Sequence, residues 1–265
     1  MTSLPTFSTL GAGPLLLMLH DVGGGHLAFA PQVEAYANAG YRAVAWDMPG
    51  YGRSAPVEPY AFKGLAASCV ALIEALRAPS GRGVILLGHG LGGMVAQEVA
   101  ARRPELVRRL ILSATVAWSG DPQALGLQAF IAQQLVLLQA GQAMSSIAEL
   151  TLPQTIGAGA LPEGVALATR CLAEVHPSTY RRALQAMATF DRRASLPALH
   201  VPTLLIAGAQ DRQAAPAAVR AMADAIDGSR YVELAGIGHC PPLEAPDEFD
   251  ALVLDFLRTA PPTLH

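Results

Sequence analysis

Short apolar runs alternating with longer amphipathic stretches constrain the fold of this chain more than any other feature. Runs at 15–20, 42–47, 84–89 and 109–114 have the length of strands, and amphipathic stretches at 27–39, 62–77 and 93–103 separate them. A strand buried on both faces reads as a continuous apolar run, and a helix crossing between parallel strands reads with a period near 3.6. The alternation therefore predicts βαβ units around a mostly parallel sheet. It stops over 118–196, where the pattern is helical without a convincing strand, with 130–140 especially apolar and 179–190 amphipathic. It resumes with a strand at 203–209, a helix at 217–226, a strand at 231–234 and a last helix at 247–258. The expected class is α/β, with one core formed by 1–117 and 197–265 and a helical insertion over 118–196.

Composition narrows the function. The chain of 265 residues is 52% hydrophobic and 15% charged, which excludes a disordered or tail-like protein. A net charge of −3 offers no basic face for nucleic acid. Three cysteines, Cys69, Cys171 and Cys240, make neither a CxxC pair nor a zinc spacing, and an odd, dispersed set suits a reducing compartment. The start of the chain, from Met1 to Pro5, has no positive region leading into an apolar one, and no run of about 18 apolar residues follows anywhere. The expectation is a cytoplasmic globular protein that acts on a small molecule, with neither nucleic acid nor membrane as partner. The apolar composition leaves room for a homodimer.

The densest local signal is Gly88-His89-Gly90-Leu91-Gly92-Gly93, set directly between a strand and a helix. This is the layout of a nucleophile elbow, G-x-S-x-G, with Gly90 where the serine would stand. A sharp strand-to-helix turn strains its central residue and leaves no room for side chains two positions to either side. The helix that follows presents free N–H groups able to hold a developing oxyanion. Downstream, Gly208-Ala209-Gln210-Asp211 puts a carboxylate on a loop after one strand, and Gly236-Ile237-Gly238-His239 puts an imidazole on the loop after the next. A base, and an acid that orients it, are what an oxygen nucleophile needs, and the chain order is the one expected of this layout.

Together these pieces resemble the α/β-hydrolase superfamily, and most closely its capped esterase, lactonase and C–C hydrolase branch. The matching stretches are 15–20 with Gly23-Gly24, then Asp47-Met48-Pro49-Gly50-Tyr51-Gly52-Arg53-Ser54, the elbow, 208–211, and Gly238-His239. The resemblance implies an α/β-hydrolase fold with Asp211 as the triad acid and His239 as the triad base. It implies an oxyanion hole from the amides of Val22 and Leu91, and a cap over 118–196 that encloses the substrate. His26, Trp118, Phe130, Met144 and His176 are the candidate substrate-binding side chains. No motif implies a metal or an organic cofactor; the glycines 23–25 lack the residues of a phosphate cradle.

The chain departs from the family pattern at four places. Gly90 offers no nucleophile. His20 is followed by Asp21 where relatives carry glycine, a position whose unusual dihedrals Asp tolerates better than most residues. About fourteen residues precede the first central strand, too few for a two-strand opening hairpin. The Arg and Trp signatures of ring-fission C–C hydrolases are missing. Gly90 leaves three readings open: a serine hydrolase of small apolar esters, lactones or related carbonyl compounds in a nucleophile-deficient Ser-to-Gly form; a natural ligand-binding pseudoenzyme; or a cofactor-free lyase or oxygenase using the His239–Asp211 pair. Under the first two the chain is expected to be nearly inactive as a hydrolase. His20 and His89 read as supporting residues, Cys240 and Ser113 as structural ones.

Overall fold

The structure, a computed structural model, describes residues 4–77 and 83–259. Residues 1–3, 78–82 and 260–265 of the expected core lie outside them. The elements in chain order are β1 (Phe7–Leu10), β2 (Leu15–Leu19), α1 (Ala30–Asn38), β3 (Arg42–Trp46), α2 (Phe62–Leu76), β4 (Val84–His89), α3 (Leu91–Arg102) and β5 (Val107–Ser113). Four helices follow, α4 (Leu125–Gln139), α5 (Met144–Thr155), α6 (Pro162–Ala173) and α7 (Pro177–Met187). The alternation then returns with β6 (Thr203–Gly208), α8 (Pro216–Asp224), β7 (Arg230–Leu234), α9 (Pro241–Glu244) and α10 (Pro246–Arg258).

The seven strands form one sheet in the order β1-β3-β2-β4-β5-β6-β7, parallel throughout except for β1, which runs antiparallel to β3. This is the α/β-hydrolase fold. Side chains alternate across the sheet as a pleat requires. Leu17, Leu19, Leu86, Leu110, Leu112 and Leu205 pack into one core, while Leu16, Met18, Ile85, Leu87, Ile111 and Leu204 pack into the other. Both faces are covered, which is why these strands read as unbroken apolar runs.

Several boundaries differ from the sequence reading for local reasons. β1 is the one strand the apolar pattern does not announce: its four residues are half-buried or exposed and lie at the sheet edge. It pairs antiparallel with β3, Phe7 opposite Trp46 and Leu10 opposite Ala43. α1 begins at Ala30 rather than 27, with Pro31 in its first turn and a 3-10 turn over His26–Phe29 before it. α3 begins at Leu91, immediately after the Gly90 turn, two residues earlier than the pattern suggested. The helical stretch between β5 and β6 contains no strand among the described residues, only an isolated bridge between Trp118 and Asp191.

Strand order places the site. β2 lies between β3 and β4, so the chain winds one way from β2 and then returns to wind the other way from β4. In an open parallel sheet the crevice at such a switch point, outside the carboxyl ends of the strands, is where ligands bind. The loops that leave β2 and β4 meet there, carrying Asp21 on one and Gly90 on the other.

Candidate active site

The turn after β4 is held by close backbone approaches. Gly90 has φ of +53°, a left-handed conformation that favours glycine. Its N–H donates to the Ser113 carbonyl at 3.0 Å, and its own carbonyl accepts from the Thr115 hydroxyl at 2.8 Å. A side chain at Gly92 would overlap the Leu19 carbonyl, and one at Gly93 would stand 2.6 Å from Thr115 Cβ. The glycines of the elbow thus let α3 pass tightly against β2 and the end of β5.

Position 90 is not empty space. A Cβ built on Gly90 would overlap Oδ1 and Cγ of Asp21 and stand 2.9 Å from its Cβ. The Asp21 carboxylate lies where a side chain at 90 would begin. The Leu91 N–H donates to Asp21 Oδ1 at 2.7 Å, so one of the two amides expected to form an oxyanion hole is already engaged by a carboxylate. The other expected donor, Val22, is buried and lines the cavity. The loop is held from below by His20, whose Nδ1 donates to the Asp21 carbonyl at 2.7 Å while Nε2 accepts from the Met48 N–H at 3.0 Å.

His239 and Asp211 come together from the loops after β7 and β6. His239 Nδ1 lies 2.8 Å from Asp211 Oδ2, and the other oxygen of Asp211 accepts from the amides of Gln213 at 2.8 Å and Ala214 at 3.1 Å. On the opposite edge of the ring, Nε2 lies 3.6 Å from Asp21 Oδ2. His239 therefore stands between two carboxylates. Burial opposes its protonation, but Asp211 first and then Asp21 outweigh burial and hold the imidazole well above its ordinary range. Burial likewise opposes the charge on Asp21, and the His239 and Leu91 contacts overcome it, holding the carboxyl well below the usual carboxylate range. His89, beside His239 at 5.4 Å between ring centroids, is pushed down to about 4 by burial. Asp21, His89 and His239 each bring one ligand-type atom within 4.8 Å of the others, the one such group among the described residues.

Glu244 also shapes the site and was missed in the sequence. Its carboxylate accepts from the amides of Gly157, Gly238 and Cys240 at 2.7, 2.8 and 2.7 Å. It clamps the chain on both sides of His239 to the turn after α5, and the His239 N–H itself donates to the Thr155 carbonyl at 2.8 Å. Nothing in the spacing of Glu244 sets it apart from a residue in the first turn of a helix.

A largely apolar cavity opens above these groups between the sheet loops and α4–α6, walled by Val22, Phe130, Leu152, Ala168, Leu172 and Leu243. Of the five candidate substrate-binding residues, Phe130 alone lines it. His26 turns to Asp47, with Nδ1 3.0 Å from Oδ1. Trp118 lies under the Arg193 guanidinium, 3.5 Å from its ring centroid. Met144 is buried in the core, and His176 caps the exposed start of α7. Cys171 and Cys240 both reach the cavity wall. No described helix is long and apolar enough to cross a membrane.

The comparisons with known proteins agree with this architecture. Residues 16–252 match the alpha/beta hydrolase family, and the chain belongs to it. It is similar to 3-oxoadipate enol-lactonase 2 of Acinetobacter baylyi, at 28% identity over 77% of this chain and 75% of that protein. The solved enol-lactonase from Burkholderia xenovorans superposes with a TM-score of 0.83 at 27% identity, over 96% of each chain. Polyketide synthase ThaQ of Burkholderia thailandensis is 29% identical over 93% of this chain, which spans only 12% of that protein.

Proposed function

We propose that this chain is an enzyme that hydrolyses a small, mostly apolar ester, lactone or related carbonyl compound, with His239 and Asp211 as the proton-transfer pair. The observation that carries the reading is the His239–Asp211 contact of 2.8 Å at the floor of a largely apolar cavity. The lactonase relatives support the substrate class, and the helices between β5 and β6 act as the cap that gives the cavity its far wall. With no hydroxyl at Gly90 an acyl-serine route is closed. A hydrolase of this kind that loses its nucleophile and gains nothing in return keeps only about a thousand-fold advantage over water.

Whether the missing hydroxyl is a bare deletion is a separate matter. A serine hydrolase lacking one side chain would have room at position 90, whereas here Asp21 fills it. That observation favours a chain in which Gly90 and Asp21 belong together over an otherwise intact serine hydrolase.

Turnover of 4-nitrophenyl acetate, 4-nitrophenyl butyrate and a small lactone by this chain and by His239→Ala tests the proposal. The expected result is measurable hydrolysis that falls at least a hundred-fold in the variant. Equal rates in the two proteins would overturn it. Ligand binding without turnover in either would assign the cavity to a binding protein.

A further inference from the structure

We propose that Asp21 is the nucleophile of this site: the attacking group has moved from the elbow after β4 to the neighbouring loop after β2. The inference rests on the hydrolytic reading above and adds the residue that reading lacks. Three observations of geometry carry it. The Asp21 carboxylate occupies the volume where a side chain at position 90 would start. One oxygen, Oδ1, is fixed by the Leu91 N–H at 2.7 Å, and the other, Oδ2, faces His239 Nε2 at 3.6 Å. The carboxylate also borders the apolar cavity, its side chain 15% exposed.

The charge state fits an attacking carboxylate better than a base. Asp21, held ionised by its partners, is a weak proton acceptor, and His239, held protonated between two carboxylates, begins the cycle as an acid. In the first step Asp21 Oδ2 bonds to the substrate carbonyl carbon, the bond to the leaving oxygen breaks, and that oxygen takes the Nε2 proton of His239. The products are an alcohol, or the hydroxyl end of an opened lactone, and an acyl group joined to Asp21 as a mixed anhydride. His239 is now neutral and takes a proton from water as the hydroxide adds to Asp21 Cγ. Oδ1 carries the developing negative charge, and the Leu91 N–H already bonded to it is the donor that stabilises it. The bond from Cγ to Oδ2 breaks, and the acid leaves with the former Oδ2. Once the hydroxyl proton is released, an aspartate carboxylate and an imidazolium remain, as at the start. No oxidant, metal or further reactant is needed for the balance.

The test is a single turnover of 4-nitrophenyl butyrate, enzyme in excess, in water enriched in oxygen-18. Mass spectrometry of the peptide containing Asp21 is expected to show a gain of one heavy oxygen, while the first butyrate released carries none from solvent. Label in that first butyrate with none in Asp21 would mean direct attack by water and would overturn the proposal. Asp21→Asn keeps an oxygen for the Leu91 N–H and removes the charge; its turnover is expected to fall at least a thousand-fold. If Asp21→Asn retains turnover while His239→Ala loses it, the nucleophile assignment fails and the hydrolytic reading stands. If both variants retain it, both fail. Activity lost to a chelator and restored by a divalent cation would assign Asp21, His89 and His239 to a metal ion and overturn the proposal as well.

Discussion

Gly90 and Asp21 share one volume, so neither residue can be changed as though the other were absent. Gly90→Ser would set a Cβ on a left-handed backbone and drive it into Asp21 Oδ1, and the carboxylate would have to swing out of the Leu91 contact. Neighbours that compete for the same space are not additive. Gly90→Ser alone is therefore expected to yield little serine reactivity, whereas the pair Asp21→Gly with Gly90→Ser clears the volume and leaves a serine facing His239. A fluorophosphonate probe should label Ser at position 90 at least a hundred-fold faster in the double variant than in the single. Equal labelling in the two would show that the positions act independently. The same contact makes Gly90 poor evidence of a plain loss, since a loss leaves room and this site has none.

The helices around the sheet are governed by ordinary local chemistry, with one exception buried between α1 and α10. α10 opens on Pro246 with Asp247 and Glu248 in its first turn and closes with Arg258 in its last, an arrangement that complements the helix dipole. On its buried face Asp250 lies beside Tyr36 and Gln32 of α1, and burial pushes its carboxyl up from 3.8 to about 6. The folded state binds this proton more tightly than the unfolded chain does. The group therefore contributes no destabilisation below pH 4, and an increasing one as pH rises through the folded value near 6. Asp250→Asn is expected to raise stability at pH 8 by about 1–3 kcal/mol and to leave it unchanged near pH 4, measured by urea denaturation at both. A gain of equal size at the two pH values would mean that packing, not ionisation, is responsible.

At the scale of the whole molecule, Glu244 is one of the groups that tie the helical stretch between β5 and β6 to the sheet loops, beside the His239 N–H to Thr155 carbonyl bond. Its buried carboxylate collects three amides, from Gly157 on the helical side and from Gly238 and Cys240 around His239. In Glu244→Gln an NH2 group must face at least one of those donors. The variant is expected to lose about 2–4 kcal/mol, read by denaturant titration, together with turnover, because His239 sits between two of the bonded amides. An unchanged midpoint would show the clamp to be idle. The α/β alternation, the helical interruption, the tight elbow after β4 and the two loops bearing Asp211 and His239 were all legible in the order of residues along the chain. These follow from periodicity and from residues adjacent along the chain, which act through local geometry. Asp21 was visible there only as a departure on a loop, Glu244 as an ordinary helix-start carboxylate, and the five candidate pocket residues as apolar or imidazole side chains of unknown direction. Their places were set by the packing of the folded chain, because they depend on which strands lie side by side. The order β3-β2-β4 brings the loops after β2 and β4 together, and with them a carboxylate into the space beside Gly90. Contacts between residues so far apart in the chain leave no periodicity in the sequence to read.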